Sequence, residues 1–427
     1  MSTLIFITSR FPFEPGEPFI EAEFPFVYSN FSRVIIITRD ITTRKTRPIP
    51  NDVKIYRYNP ASTFTGYLAV PILLFRNRKK IAAIYKDEIK FRNDRSLSLS
   101  LRKKLLLLKK IIKGLQLKFF IENVIGTEKI EGLITLYSYW MNNGAHAICM
   151  LDQQNKFKIA RAHRIDLYEE VNTLNYIPLQ KYTFDNLDGL FFISEHGKEY
   201  FENKLGITHP KNQVARLGVI KPSLNDVRKS GSDFFRIVTC SSLTKVKRID
   251  LLISALENLN TDRNIIWNHF GEGPLQKELS GLAQSRLGPL KNIEYKFMGQ
   301  VQNSELLEFY SNNEIDLFIN SSSSEGIPVS IMEAQSFGIP VIATDVGGVK
   351  EILVEGTGSV LPVDIKPEQL AGIIKLYIDM PVEEVNKIRT NAYNNWNRRF
   401  NASVNYKDFV LKVNSILATA KRTDITI

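Results

Sequence analysis

Cysteine is scarce in this chain: 427 residues carry two, Cys149 and Cys240, each inside an apolar run. No disulfide framework can be built from them, so they read as buried thiols of a reducing compartment. Histidine is nearly as scarce, and His146, His163, His196, His209 and His269 have no zinc-type spacing. A membrane-spanning run is missing too. The longest apolar stretch near the front, Tyr67 to Phe75, falls far short of the ~20 residues a span needs. The opening MSTLIFITSR has no basic leader and reads as a first strand rather than a signal peptide. No G-x-G-x-x-G follows a first strand, in TSRFPF or in CSSLTK, which argues against a nicotinamide dehydrogenase. Aromatic residues interleaved with arginines, expected for single-stranded nucleic acid, are sparse.

What is present describes a folded protein. Apolar residues make up 44% and charged residues 24%, the balance of a globular chain. The length suits two domains of roughly 150–250 residues each. The formal charge is +11, concentrated at RNRKK (Arg76 to Lys80) and in LRKKLLLLKKIIKGLQLKFF (Leu101 to Phe120). The second stretch has the pattern of a helix. Its basic pairs and apolar blocks suit an anionic membrane surface, a nucleic acid or a solvated face.

Near-continuous apolar runs of strand length recur along the first half: Leu4 to Thr8, Arg33 to Arg39, Leu133 to Tyr137, Lys156 to His163, Gly189 to Ser194 and Gln213 to Gly218. Helical patterns separate most of them, which implies a parallel sheet covered on both faces. The polar segment Val219 to Asp233 reads as a linker. The alternation then restarts with strands at Phe234 to Cys240, Ile265 to Phe270, Ile293 to Gly299, Asp316 to Asn320, Pro340 to Thr344 and Ser359 to Val363. A last helical pattern runs on to Ala420. The expected fold class is α/β, with domains at 1–222 and 223–395 and a C-terminal helix, 396–420, bracing the first domain.

The most informative stretch is SSSSEGIPVSIMEAQSFGIPVIATDVGG, Ser321 to Gly348. It follows a strand, and parallel sheets bind ligands beyond the carboxyl ends of their strands. Pro328 suits the first turn of a helix, so the N–H groups after Glu325 would face a ligand's oxygens. Glu325 stands at the mouth of that helix and Glu333 about a turn and a half inside. Two such carboxylates suit a long, hydroxyl-rich ligand, or else are solvated surface acids.

This stretch resembles the E-x7-E motif of the retaining glycosyltransferase family 4, the group 1 glycosyltransferases of bacterial surface polysaccharide synthesis. The resemblance extends over nearly the whole chain and is strongest from Cys240 to Gly348. It implies GT-B architecture, two Rossmann-like doubly wound domains facing a central cleft. By that resemblance Glu325 faces the donor sugar, the backbone of Gly326 and Ile327 walls the sugar and phosphates, and Glu333 holds the ribose. CSSLTKVKRID, Cys240 to Asp250, is similar to the phosphate loop, with Lys247 at the family's lysine and Ser242 where an arginine is frequent. Either the neighbouring Arg248 compensates or the donor contacts differ. HFGEGP, with Gly271 and Gly273, resembles the glycine turn beside base and phosphates, and the backbone of Met298 and Gln300 would read the base. Gly16 resembles the glycine of a flexible loop near donor phosphate and acceptor. Glu17 and Glu21 beside it would touch the acceptor, or Glu21 would pair with a surface cation. RAHRIDLYEE is similar to the family's R-x-H-G-x-D-x-Y stretch, with His163 reaching the reacting sugar and Arg164 where a glycine is frequent.

The implied activity is retaining, metal-independent transfer of a hexose-type sugar from a UDP- or GDP-linked donor to a hydroxyl of a glycan or polyprenyl-linked glycan. The chain contains no Asp-x-Asp, the usual divalent-ion handle of the other large glycosyltransferase fold. Expected catalytic residues are His163, Lys247 and Glu325. The alternatives are a sugar-nucleotide epimerase of the same layout and a non-catalytic nucleotide-sugar-binding protein. The expected location is the cytoplasm, with peripheral contact to an anionic membrane and none to nucleic acid.

Overall fold

In a computed structural model of the chain, the described residues are 3–13, 16–39, 47–59, 71–221 and 234–424. Most of the expected linker, and part of the apolar stretch Tyr67 to Phe75, lie outside them. Two compact units form, Met1–Ala215 with Tyr406–Ile427, and Arg216–Asn405.

The first unit contains strands β1 (Thr3–Ile7), β2 (Arg33–Arg39), β3 (Lys54–Tyr58), β4 (Ile134–Ser138), β5 (Lys156–Ala162), β6 (Gly189–Phe192) and β7 (Asn212–Val214). They make one sheet of order β3-β2-β1-β4-β5-β6-β7, parallel throughout. All five residues of β1 are buried because both faces are covered. Ile5 and Ile7 join Ile35 and Leu136 under the helix Leu101–Thr127, while Leu4 and Phe6 join Val34, Ile36 and Tyr137 on the other face. Phe409 and Val413 of the helix Ala402–Asp424 belong to that second layer, so the C-terminal helix packs on the first unit.

The edge strand β3 carries no apolar run. Its sequence KIYRY alternates, and its polar residues hide it from a search for buried strands. The stretch Leu101 to Phe120 is helical, within Leu101–Thr127, and from Leu107 onward its apolar side serves the core: Leu107, Ile111, Leu115 and Leu117 are buried.

The second unit contains β8 (Phe234–Cys240), β9 (Asn264–Phe270), β10 (Ile293–Gly299), β11 (Leu317–Asn320), β12 (Val341–Thr344) and β13 (Gly358–Leu361), in order β10-β9-β8-β11-β12-β13 and again parallel. Each sheet therefore reverses its winding beside its first strand. In the second unit the switch lies between β8 and β11, where a doubly wound sheet opens its ligand crevice.

The last helical pattern is broken. One helix ends at Arg399 and the next begins at Ala402. Between them Val219 N–H donates to the Phe400 carbonyl at 2.9 Å, and Ala402 N–H to the Val219 carbonyl at 3.2 Å. Those strand-like bonds replace a helical turn. Cys149 is buried as expected, but Cys240, the last residue of β8, is half-buried at the carboxyl end of the sheet.

Candidate functional site

The loops after β8 and β11 meet at the switch point and are stitched together. Ser323 N–H donates to the Val246 carbonyl at 2.8 Å, and the Ser321 hydroxyl donates to the Lys247 carbonyl at 2.9 Å. This brings Lys247 Nζ within 2.5 Å of Glu325 Oε1. The same oxygen accepts from the Ser322 hydroxyl at 2.6 Å and from the Asn320 amide at 3.3 Å. Glu325 thus stands outside the helix Val329–Ser336, held by three donors. Pro328 is the residue before the first helical turn rather than within it, because its ψ of 106° is extended.

Among the described residues, no protein oxygen accepts from the N–H of Gly326 or Ile327. The backbone behind them is fixed instead. Gly348 N–H donates to the Gly326 carbonyl at 2.7 Å, and Gly347, at φ 54°, approaches so closely that a Cβ there would lie 2.2 Å from the Glu325 carbonyl oxygen. The Gly-Gly pair that closes the motif therefore buttresses Glu325 and Gly326 from behind.

Glu333 points inward and is only 7% exposed. Burial pushes its pKa up to about 7, and a 2.6 Å hydrogen bond from the Asn303 amide pulls the other way. Asn303 opens the helix Asn303–Asn312 after β10, and no feature of the sequence pointed to it.

Ser242 is exposed in the loop after β8. Arg248 does not take the place of the arginine it lacks. It has left-handed backbone, and its guanidinium donates to the carbonyls of Ser321 and Val363. The glycine turn locks onto the same loop: Leu243 N–H donates to the Glu272 carbonyl at 3.1 Å. A Cβ on Gly271, at φ 125°, would lie 2.0 Å from the Ser241 carbonyl, so only glycine fits that contact. Gly271 N–H donates to the Gly299 carbonyl at 2.8 Å, which sets the backbone of Met298 and Gln300 beside the turn.

In the first unit His163 follows β5 and is 6% exposed. Its ring lies 4.4 Å from that of Trp140 and 4.9 Å from that of Tyr139. Burial, with Arg161 nearby, pushes its pKa down to about 3, against a hydrogen bond to the Tyr139 backbone. The imidazole is therefore neutral, and among the described residues its buried Nε2 has no hydrogen-bond partner. Asp166 fixes the loop by accepting from His163 N–H at 3.1 Å.

Glu17 is not available to an acceptor. Its carboxylate accepts from the N–H groups of Ser9, Arg10 and Phe11 at 3.0, 2.6 and 2.6 Å, and from the Trp140 indole. Glu21 pairs with Arg47 at 3.3 Å, the surface role. Gly16, at φ 137°, follows the same loop, and its carbonyl accepts from Arg47 at 2.6 Å. Among the described residues no three His, Cys, Asp or Glu side chains converge on a metal site, and no helix is long and apolar enough to cross a membrane.

Residues 223–395 match the family "Glycosyl transferases group 1". The O-antigen biosynthesis glycosyltransferase WbnH of Escherichia coli is 28% identical over 186 residues, 42% of this chain and 48% of WbnH. The chain spans about half the length of the curated relatives it matches first. Among solved structures, Anabaena Alr3699/HepE in complex with UDP and glucose superposes with a TM-score of 0.64 at 16% identity, over 97% of this chain and 99% of that one. Sucrose-phosphate synthase of Thermosynechococcus elongatus gives 0.70 at 14% identity, over 98% and 100%. The chain has the GT-B fold. Its second unit is related to the group 1 glycosyltransferases.

Proposed function

We propose that the chain is a retaining, metal-independent glycosyltransferase of family 4. It would move a hexose-type sugar from a UDP- or GDP-linked donor to a hydroxyl of a glycan or polyprenyl-linked glycan, in cell-surface polysaccharide synthesis. The carrying observation is the convergence of Lys247, Glu325 and the unpaired amides of Gly326 and Ile327 at the switch point of the second sheet. The UDP and glucose in the Anabaena complex and the O-antigen role of the Escherichia coli relative support the substrate class.

In this reading the ribose hydroxyls donate to Glu333, the diphosphate takes Lys247 and the backbone of the Ser242 loop, and Glu325 accepts from hydroxyls of the transferred sugar. Gly271, Gly273, Met298 and Gln300 line the base and phosphates, and Gly16 gives close backbone approach in the first unit. As the bond between the anomeric carbon and the diphosphate oxygen breaks, Lys247 and the amides before the helix Val329–Ser336 stabilise the charge that develops. The acceptor oxygen bonds to the anomeric carbon on the same face, and its proton passes to the departing diphosphate. No side chain acts as nucleophile. The two-carboxylate scheme of retaining hydrolases, with carboxyls about 5 Å apart, does not apply if Glu333 serves the ribose. His163, being neutral, works as an acceptor for a sugar hydroxyl through Nε2 and not as an acid.

The chain would work in the cytoplasm, peripherally on an anionic membrane. Phe75, Leu101 and Leu105 are 67, 72 and 59% exposed among Arg76, Arg78, Lys79 and Arg102. A binding screen of UDP, GDP and ADP with their sugar conjugates, repeated on Glu333→Ala and Lys247→Ala, tests the donor site. Base-selective binding weakened by both substitutions is expected. Folded protein that binds none of them would defeat the reading.

A further inference from the structure

Glu17 opens the helix Pro18–Tyr28 but does not cap it. Its backbone is left-handed, at φ 50°, a conformation that strains any residue with a Cβ, and its side chain makes no bond to the helix. The carboxylate turns back instead. Oε1 accepts from Ser9 N–H and the Trp140 indole, and Oε2 from the N–H groups of Arg10 and Phe11. Four donors fill the acceptor capacity of a carboxylate, at a residue only 7% exposed. One side chain thereby ties together the loop after β1, the start of the first helix and the loop after β4.

Trp140 is the far end of that tie. Its N–H is committed to Glu17, which fixes the plane of the indole. The centre of that ring lies 4.4 Å from the centre of the His163 imidazole. Tyr139 and Phe19 close on the same imidazole at 4.9 and 6.0 Å, and Phe19 meets Trp140 edge-on at 6.0 Å. Three aromatic rings therefore set the orientation of His163.

The same contacts set its tautomer. Tyr139 N–H already donates to the Ile7 carbonyl at 2.9 Å, so the bond between the Tyr139 backbone and the imidazole is accepted by the Tyr139 carbonyl. A carbonyl accepts only from an N–H. Nε2 is the ring nitrogen without a partner among the described residues, so the proton sits on Nδ1 and Nε2 keeps its lone pair. A buried acceptor of this kind is unfavourable until a donor joins it.

From this chain of contacts we propose that Glu17 and Trp140 are positioning residues for His163. The carboxylate holds the indole, and the indole, with Tyr139, holds the imidazole so that Nε2 offers its lone pair to a sugar hydroxyl. Neither residue touches the sugar. The proposal rests on the glycosyltransferase reading, in which His163 meets that hydroxyl, and adds what prepares it to do so.

The test uses the full chain with isotope-labelled histidine and reads the protonation of each ring nitrogen by NMR. The spectrum of His163→Gln identifies the signals of residue 163 among the five histidines. In the wild type Nδ1 of His163 should appear protonated and Nε2 unprotonated. Glu17→Gln has one oxygen for four donors, and Trp140→Phe keeps a ring but deletes the N–H. Each should shift part of the His163 population to the Nε2–H tautomer, and the double variant should shift it no further than Glu17→Gln alone. A wild-type proton on Nε2 overturns the proposal, as does an unchanged tautomer in both variants. A shift in only one of them also overturns it, because the bond from carboxylate to indole would not be what holds the ring. If Glu17→Gln does not fold, Trp140→Phe decides alone. Binding of UDP and GDP to the wild type is measured on the same sample. Its failure would defeat the donor reading alone, because the tautomer is read without a donor.

Discussion

Lys247 Nζ and Glu325 Oε1 lie 2.5 Å apart, so the cation assigned to the diphosphate and the acid assigned to the sugar hold one another. A donor must exchange this pair for its own contacts. Glu325→Gln frees Lys247 while keeping a side chain of similar size for Ser322 and Asn320. A partly exposed ion pair contributes roughly 0.5–1 kcal/mol. Bare UDP or GDP should therefore bind about two- to fivefold tighter to the variant, while sugar transfer falls. Titration calorimetry alongside a transfer assay reads the opposite signs, and a parallel loss of both would argue that the pair is not exchanged.

The buried carboxyl of Glu333 makes stability depend on pH. Its folded pKa is about 7, raised by burial from an unfolded value near 4.5. A raised acid favours the fold when protonated, so this contribution is full below about pH 4.5 and is lost as pH rises through 7. Glu333→Gln removes the dependence. Its stability relative to the wild type should rise between pH 5 and 8 by on the order of 3 kcal/mol, measured by urea unfolding. Ribose binding favours the ionised form, so wild-type nucleotide affinity should weaken as pH falls below 7.

Arg161 and Glu23 form an ion pair at 3.2 Å with both side chains fully buried, and the Tyr137 hydroxyl donates to Glu23 at 2.7 Å. Removing one partner leaves an uncompensated charge, which costs about 3–5 kcal/mol. Glu23→Ala should lower the unfolding midpoint of the first unit. Nucleotide binding by the second unit should persist at temperatures where both units remain folded. Differential scanning calorimetry with and without nucleotide separates the two effects.

The strands were legible where both faces are buried, because TLIFI or RVIIITR cannot be placed in water. The edge strand β3 escaped because Lys54 and Arg57 break its apolar run. The helical pattern after Val382 gave no sign of its break, since the cause is backbone pairing with the distant Val219. At the candidate site, Glu325, Glu333 and Lys247 could be proposed from a motif. Asn303, Asn320 and Ser322 could not, because their value lies in contacts with the motif's acids. The grip of Lys247 on Glu325 crosses 78 residues of sequence, and Glu17 shows the converse: an acid suited to an acceptor was already claimed by three backbone amides.

Gly347 offers the sharpest separation of sugar handling from nucleotide binding. Its left-handed backbone alone would cost alanine about 1–2 kcal/mol. The larger effect is steric, since the new Cβ would sit 2.2 Å from the Glu325 carbonyl, which must move. That carbonyl belongs to the residue assigned to the sugar, and Gly326 follows it. Glu333 lies beyond this point on the helix and keeps its Asn303 bond. Gly347→Ala should therefore cut transfer at least about tenfold while changing UDP or GDP affinity by less than about threefold. Stability should fall by more than the backbone cost alone, about 3–5 kcal/mol in all. If nucleotide affinity collapsed together with transfer in folded protein, the sugar and nucleotide contacts would have to share one rigid segment, and the separate assignment of Glu325 and Glu333 would fail.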